Sequence, residues 1–362
     1  MTTTIEKSLN DFQIEKFQKA LVSWFHQEKR DLPWRRTEDP FRIWVSEIML
    51  QQTRVDTVIP YYERFIDKFP TLHDFANAKE DEILKAWEGL GYYSRVRNLQ
   101  TAVREVAEKY NGNVPEDPKQ FQSLKGVGPY TAGAVMSIAF RKPEPAVDGN
   151  VMRVFSRVFS IEEDIAKPKT RKTFEGLVRE VIDHEDPSGF NQGIMELGAL
   201  ICTPQSPSCL LCPVRDYCKG FHEGKEKILP IKNTKKSSTK KKWMSALVLT
   251  NDGQIVVQKR PETGLLASMW QFPMIEKGKN GDLDAFRSWL KEELNLEIEH
   301  MEPLTTVKHV FSHVEWEIDA YVVKGSISSV ELPYQIMTEK QMSEYAFPVP
   351  FQKMWKAFKE TH

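Results

Sequence analysis

The chain has 362 residues, more than one ordinary hydrophobic core uses, so two or three domains are expected. Its 40% hydrophobic and 28% charged residues indicate a soluble globular protein. Because the net charge is only −1, any nucleic-acid site must be a local patch and not a field over the whole surface. The sequence shows neither a leader pattern nor an apolar run of membrane length, so we expect a cytoplasmic protein with no membrane partner.

The first 220 residues show helical periodicity and no convincing strand pattern, which predicts an all-helical region. After the opening helix, Arg30, Arg35 and Arg36 flank Trp34 behind a proline. Planar cations beside an aromatic ring suit a base or a phosphate. A surface loop around a buried tryptophan is the simpler interpretation of the same pattern.

A helix that begins at Asp39 and Pro40 carries Glu47 among apolar neighbours. Burial of a carboxyl group raises its pKa, which would suit a general acid near neutral pH. The alternative is an ordinary exposed glutamate. At the end of this helix, Gln52 and Thr53 can bond base edges. Further on, Tyr92 lies in a glycine-rich turn beside arginines, where it could pack either on a sugar–phosphate backbone or in the core.

Gly126 and Gly128 form a G-x-G turn that enters an apolar, small-residue helix. Backbone amides at such a helix start suit a phosphate, although many tight turns need glycine for conformational reasons alone. Asp148 follows that helix at a loop-to-helix junction. A carboxylate there is either a simple N-cap or a functional group.

All four cysteines lie within a 17-residue stretch with the spacing C-x6-C-x2-C-x5-C, at Cys202, Cys209, Cys212 and Cys218. This density predicts a metal site and not a spread-out disulfide framework. Zinc and an iron–sulfur cluster both accept four thiolates, and the spacing alone leaves the choice open.

Residues 221–242 are rich in lysine, serine and threonine and are predicted to be a linker. From residue 243 the period changes to that of strands. A hairpin is predicted around Asn251-Asp252-Gly253, a helix follows over LDAFRSWLKEELNLEI, and a second strand pair surrounds Ser312 and His313. Residues 243–362 are therefore expected to form a separate α+β domain.

Taken together, these motifs resemble the endonuclease III, helix-hairpin-helix superfamily of DNA glycosylases. LKGVGPYTAGAV resembles the helix-hairpin-helix element, AVDGNVMRV the aspartate segment, and the cysteine spacing the 4Fe–4S loop. Within the superfamily, RDLPWR, VSEIMLQQTRV and WEGLGYYSRVRNL resemble MutY-type adenine glycosylases. The resemblance implies a multidomain fold: a six-helix-barrel catalytic region with the cluster over 1–220, the linker, and a MutT/Nudix-like domain over 243–362.

The resemblance also implies roles for individual residues. Glu47 would be the general acid, and Asp148 would stabilise an oxocarbenium-like sugar and be oriented by Asn150. Tyr130 stands where bifunctional relatives carry a Schiff-base lysine, so a monofunctional enzyme is expected. The four cysteines would hold a 4Fe–4S cluster. The substrate would be double-stranded DNA with adenine opposite 8-oxoguanine or guanine, bound by a monomer in the bacterial nucleoid.

The remaining implied positions contact DNA. Arg30, Trp34, Arg35 and Gln192 resemble the adenine pocket, and Gln52, Thr53 and Tyr92 resemble the group that reads the opposing lesion. In the C-terminal domain, the tip Phe311, Ser312 and His313 resembles a lesion-recognition loop. The Nudix helix tail R-E-U-x-E-E-x-G-U is broken here, because residues 288–296 read SWLKEELNL. Too few carboxylates remain for a magnesium pyrophosphatase.

Three other functions stay open on the sequence. An endonuclease III-like lyase on oxidised pyrimidines would require an amine nucleophile, against which Tyr130 argues. A catalytically silent DNA-binding scaffold would lack a competent acid. Nucleotide-pool sanitation by residues 243–362 would require an intact Nudix helix.

Overall fold

The computed structural model describes residues 2–233, 239–278, 283–327 and 329–362. Contacts divide the chain into two compact units: residues 1–77 with 98–234, and residues 78–97 with 235–362. The second unit therefore includes a stretch of the region that was predicted to be helical. Part of the predicted linker, residues 234–238, lies outside the described residues.

Up to residue 233, the described chain forms helices and no strands, as predicted. The α-helices are α1 Thr2–Leu9, α2 Ile14–Glu28, α3 Pro40–Leu50, α4 Val55–Lys68, α5 Leu72–Asn77, α6 Glu80–Ala86, α7 Ser94–Lys109, α8 Pro118–Ser123, α9 Pro129–Phe140, α10 Gly149–Val158, α11 Pro168–Val181, α12 Pro187–Leu200 and α13 Lys219–His222. Short 3-10 turns occupy Pro33–Arg35, Cys209–Leu211 and Arg215–Tyr217.

The helices that carry the site begin at strong start signals. The Asp39 side chain accepts hydrogen bonds from the backbone amides of Phe41 and Arg42, and Pro40 opens α3. Asp186 caps α12 in the same way. One hydrophobic cluster of this unit is formed by apolar residues of α2, α10, α11 and α12, and α3, α4 and α9 bury further apolar residues. These starts are local in sequence, which is why the helix positions could be predicted.

Helix α9 is buried on all sides over Thr131–Ser137 because its residues are small or apolar. A Cβ atom on Gly133 would lie only 1.9 Å from the carbonyl oxygen of Pro145. This close approach holds the segment before Asp148 against the helix. Before α9, Gly126 adopts a φ of +77°, a left-handed conformation that glycine reaches without strain.

The second unit is built on one mixed sheet. Its described strands are β1 Thr239–Leu249, β2 Ile255–Lys259, β3 Trp270–Gln271, β4 Met274–Glu276, β5 Leu296–Val310, β6 Val314–Ile327 and β7 Tyr334–Met337, with helices α14 Leu283–Leu294, α15 Glu339–Ser343 and α16 Val349–Thr361. The strand order is β3-β2-β1-β6-β5, with β4 paired to β1 and β7 to β2. Apolar residues of α14 cover one face, and those of α16 cover the other.

Both predicted strand pairs are present. β1 and β2 pair around the Asn251-Asp252-Gly253 turn, and β5 and β6 pair around residues 311–313. Two boundaries differ from expectation. Strand β1 begins at Thr239 because it pairs in parallel with β6 from Val314 onward. Helix α14 ends at Leu294, because Asn295 has a φ of +47° and β5 then begins. Among the described helices, none has the length and apolar character needed to cross a membrane.

Candidate active site

A cavity of about 180 Å³ in the helical unit brings together nine of the residues singled out from the sequence, including all four catalytic candidates. Those that line it are Arg30, Trp34, Arg35, Glu47, Thr53, Tyr130, Asp148, Asn150 and Gln192. They come from the segment before α3, from α3 and the turn that follows it, and from α9, α12 and α10 with its N-cap. Gln52 is exposed and has a φ of +57°, and it does not line this cavity.

Glu47 is buried on α3, with a relative exposure of 5%, so the exposed-glutamate alternative is wrong. The Tyr130 hydroxyl donates a hydrogen bond to Glu47 Oε2 over 2.6 Å. Burial is the main reason that the pKa of Glu47 is raised to about 7, and the nearby Asp148 carboxylate adds to this rise. The hydrogen bond from Tyr130 and the positive charge of Arg35 both lower the pKa of Glu47 and so oppose the rise. A carboxyl group with this pKa holds its proton at neutral pH about as often as it releases it.

Asp148 serves as the N-cap of α10 and also faces the cavity. Its Oδ1 accepts from the backbone amide of Val151 over 2.7 Å, and its Oδ2 accepts from Asn150 Nδ2 over 2.9 Å. Burial raises the pKa of Asp148, while these hydrogen bonds favour its charged form. The N-cap interpretation of this residue is therefore correct, and the cavity position leaves its functional role a prediction.

Arg153 connects this carboxylate to the cysteine loop. Its Nη2 donates to Asn150 Oδ1 over 2.8 Å, and its Nε donates to the carbonyl oxygen of Cys202 over 2.8 Å. Hydrogen bonds therefore run without a break from Cys202 through Arg153 and Asn150 to Asp148. Sequence reasoning missed Arg153, although an arginine inside the apolar run VMRVFSRVF was a usable signal.

Glu196 is the second residue that sequence reasoning missed. It lines the cavity with only 1% relative exposure and receives hydrogen bonds from Arg30 and Arg35. Burial would raise the pKa of Glu196, but the two guanidinium groups hold it at about 2. Its position four residues after Gln192 places both on one face of α12, which was the available signal.

The G-x-G turn lies elsewhere in the same unit. Gly126 is exposed, and Gly128 is the N-cap of α9, preceding Pro129 at its first position. Neither glycine lines the cavity that holds Glu47.

The four cysteines line a second cavity, together with apolar residues of α10 and α12. The fully buried Arg157 donates Nη1 to Cys202 Sγ over 3.2 Å and to the carbonyl oxygen of Thr203 over 2.8 Å. Burial raises the pKa of Cys212 to about 12 and that of Cys218 to about 11, so metal binding must release thiol protons. By donor type, four thiolates suit an iron–sulfur cluster or zinc. In the described part of the chain, however, no group of three or more His, Cys, Asp or Glu side chains is placed so that it could hold a metal ion.

In the second unit, the tip between β5 and β6 meets the turn that carries Tyr92. Ser312 Oγ and the Tyr92 hydroxyl are 3.1 Å apart and hydrogen-bonded. Tyr92 is 45% exposed and has a φ of +48°. Phe311 packs edge-on against Trp316, with ring centroids 4.9 Å apart, and His313 is exposed. The structure thus joins two positions that lie 220 residues apart in the chain.

Sequence models of known families match three parts of the chain. The HhH-GPD superfamily of base excision DNA repair proteins matches residues 45–180, the iron-sulfur binding domain of endonuclease III matches residues 202–218, and the NUDIX domain matches residues 245–357. Among solved structures, a thermostable thymine-DNA glycosylase is 30% identical with a TM-score of 0.53, over 58% of this chain and 97% of its own. A trapped endonuclease III–DNA covalent intermediate is 26% identical with a TM-score of 0.50, over 59% and 97%. The fold and the site thus define a helix-hairpin-helix DNA glycosylase of base excision repair.

Curated relatives narrow this class. Human adenine DNA glycosylase is 34% identical, over 96% of this chain and 74% of its own length. The adenine DNA glycosylase of Buchnera aphidicola subsp. Schizaphis graminum is 31% identical, over 95% and 99%. The chain belongs to the adenine DNA glycosylase family. It is a hydrolase that acts on N-glycosidic bonds in DNA, and its cofactor is a 4Fe–4S cluster. The predicted family, fold class, enzyme class and cofactor are confirmed.

Proposed function

We propose that this enzyme removes adenine paired with 8-oxoguanine or guanine, with Glu47 as the general acid and Asp148 as the group that stabilises the sugar cation. The observation that carries the proposal is the convergence of both carboxyl groups on one cavity. Cleavage of a glycosidic bond needs an acid at the leaving group and an anion near the sugar carbon. The target adenine must leave the base stack to enter such a cavity.

The environments of the two carboxyl groups suit these separate tasks. Glu47 has a pKa of about 7, mainly because it is buried, so it can hold a proton for the departing base. Asp148 accepts hydrogen bonds from an amide side chain and from the backbone, and both favour its anionic form. Paired carboxyl groups with different environments are a recurring basis for acid and anion assignments. Asn150 would hold the Asp148 carboxylate toward the sugar.

The chemistry ends at the abasic site in this proposal. Tyr130 donates to Glu47 and cannot form a Schiff base, because a phenol has no amine nitrogen. Trp34, Arg30, Arg35 and Gln192 would surround the adenine, and Thr53 lines the same cavity.

Recognition of the opposite base is assigned to the second unit. The Ser312 and Tyr92 hydroxyls each donate and accept, and they can bond the edge of a purine when DNA is bound. Phe311 and His313 complete this tip. Gln52, in the first unit, would also contact the DNA. The helix-hairpin-helix amides at Gly126 and Gly128 would hold a phosphate. The four cysteines would be the ligands of the cluster. Residues 1–220 would form the catalytic region and residues 243–362 the recognition domain, with residues 221–242 as the linker. The enzyme would act as a monomer.

A Nudix-type hydrolase activity is not part of this proposal. Helix α14 keeps Glu292 and Glu293, both exposed, and the Tyr334 hydroxyl donates to Glu293 Oε1 over 3.1 Å. The rest of the Nudix helix tail is missing, because residues 288–296 read SWLKEELNL, and too few carboxylates remain to hold magnesium.

An excision assay on a labelled duplex with adenine opposite 8-oxoguanine tests the proposal. The wild-type enzyme should form abasic sites, and strand breaks should appear only after treatment with base or heat. Asp148→Asn keeps a good N-cap but removes the negative charge, so excision should fall by about 10²–10³ with little loss of stability. Direct strand scission through a borohydride-trappable adduct would overturn the monofunctional assignment. Wild-type excision by Asp148→Asn would overturn the role of Asp148.

A further inference from the structure

Glu196 is a buried carboxylate with no assigned role in the chemistry above. It lies on α12 and lines the same cavity as Glu47, with a side chain only 2% exposed. An ionised carboxylate at such a site costs several kcal/mol unless charged partners compensate it. The partners it has therefore indicate what it does.

Both partners are arginines that line the cavity. Arg30 donates Nε to Glu196 Oε1 over 2.9 Å and Nη2 to Oε2 over 2.7 Å. Arg35 donates Nη1 to Oε1 and Nη2 to Oε2, both over 3.0 Å. The backbone amide of Arg30 adds a further hydrogen bond to Oε1 over 3.0 Å. Two bidentate pairs on one carboxylate leave each guanidinium group little freedom to rotate.

The same carboxylate orients Gln192 through Arg35. Once its two terminal nitrogens are held by Glu196, Arg35 directs Nε to Gln192 Oε1 over 3.2 Å. The Gln192 amide nitrogen then donates to Ser188 Oγ over 3.0 Å. One buried charge thus orders a wall of the cavity that is made of three other side chains.

Glu196 shares the cavity with Glu47, so its charge belongs to the surroundings of that acid. The titratable and charged groups of this cavity are Tyr130 from α9, Asp148 from the start of α10, Glu196 from α12, and Arg30 and Arg35 from the segment before α3, with Asp56 of α4 near Arg30. Arg35 favours the ionised form of Glu47, and Asp148 opposes it. With Glu196 present, the two arginines and this carboxylate sum to one positive charge; without it, the sum is two.

We propose that Glu196 is a positioning residue that fixes Arg30 and Arg35 as one wall of the adenine cavity and offsets their charge, so that Glu47 keeps its proton at neutral pH. The inference rests on the proposed role of Glu47 as the general acid. It assigns to α12 a part in the acid chemistry that takes place on α3.

The test is the pH profile of single-turnover adenine excision by the full-length holoenzyme. Glu196→Gln keeps the shape of the side chain and removes its charge, so the alkaline limb should move to lower pH by about one pH unit. Excision at about pH 8 should then fall roughly fivefold further than excision at about pH 6. Arg30→Gln removes a positive charge and should move the limb in the opposite direction, whatever it does to the maximal rate.

Two controls separate charge from structure. Glu196→Asp keeps the charge and should restore the wild-type limb even where the maximal rate is lower. Glu108→Gln removes an exposed glutamate of α7 and should change neither rate nor profile. Equal loss of rate at every pH in Glu196→Gln, with no movement of the limb, would overturn the proposal. If Glu196→Gln does not fold, an unmoved limb in Arg30→Gln would overturn it as well.

The outcome also distinguishes this inference from the function on which it rests. A wild-type alkaline limb that persists in Glu47→Gln would reject Glu47 as the acid, and with it the inference. A limb that disappears in Glu47→Gln but is unmoved in Glu196→Gln would reject the inference alone.

Discussion

Replacement of Glu47 by glutamine separates the chemical role of this residue from its structural cost. Glutamine has nearly the same shape, and its amide oxygen can still accept the Tyr130 hydrogen bond seen over 2.6 Å. It cannot donate a proton to a leaving group at any accessible pH. Loss of a positioned general acid typically slows a reaction by about 10²–10⁴, so single-turnover excision should fall by that factor. Binding to a duplex with an A·8-oxoguanine pair should be retained.

The stability of the same variant should change with pH in a defined direction. Burial raises the pKa of Glu47 from 4.5 to about 7, so the folded protein holds this proton over a range in which the unfolded chain has released it. The carboxyl group therefore destabilises the fold progressively from about pH 4.5 to about pH 7, and fully above that. Since each tenfold change in proton affinity is worth about 1.4 kcal/mol, the full effect is about 3 kcal/mol.

Glutamine does not titrate, so the variant avoids this cost. Glu47→Gln should be more stable than the wild type by up to about 3 kcal/mol at alkaline pH, and the difference should vanish near pH 4.5. Urea unfolding at a series of pH values, followed by circular dichroism, measures the difference. Wild-type excision, or a stability difference that stays constant from acid to alkaline pH, would refute the reasoning, because a buried carboxyl group requires the pH dependence.

Three further predictions concern recognition, the cluster and packing. Ser312→Ala should reduce the preference for A·8-oxoguanine over A·G duplexes three- to tenfold, which corresponds to roughly one lost hydrogen bond. The control Ser343→Ala, on α15, should not change this preference. Competitive binding assays measure the preference of both variants. Arg157→Met leaves buried carbonyl oxygens without a donor and should destabilise the fold by about 1–3 kcal/mol or more, with lower iron content and visible absorbance of the purified protein. Arg179→Met, on the exposed side of α11, should leave the iron content unchanged. Full iron in Arg157→Met would contradict the inferred support of the cysteine loop. Gly133→Ala places a Cβ atom 1.9 Å from the Pro145 carbonyl oxygen and should lower the free energy of unfolding by about 1–3 kcal/mol or more. The control Gly278→Ala, with open space around it, should leave thermal unfolding unchanged. An unchanged Tm in Gly133→Ala would show that the segment before Asp148 moves freely.

The sequence alone was sufficient for features encoded by neighbouring residues. The cysteine spacing over residues 202–218 indicated a metal site, and the Asp39–Pro40 start and the Asn251-Asp252-Gly253 turn predicted a helix and a hairpin that the structure contains. Each of these signals acts through local backbone geometry, so a short window of sequence holds all the information needed. Hydrophobic periodicity also separated the helical region from the strand-rich one for the same reason.

The environment of Glu47 was decided only by the tertiary structure. Its helix face was predictable, but its burial and its pKa depend on Tyr130, Asp148 and Arg35, which come from three other parts of the chain. Glu196 is a stronger example, because its partner Arg30 lies 166 residues away in sequence. Likewise, residues 78–97 read as part of the helical region, yet their contacts group them with residues 235–362, where Tyr92 meets Ser312. A periodic pattern shows which face of a helix is buried, but the charge on a buried group is set by what packs against that face, and only the folded chain determines those neighbours.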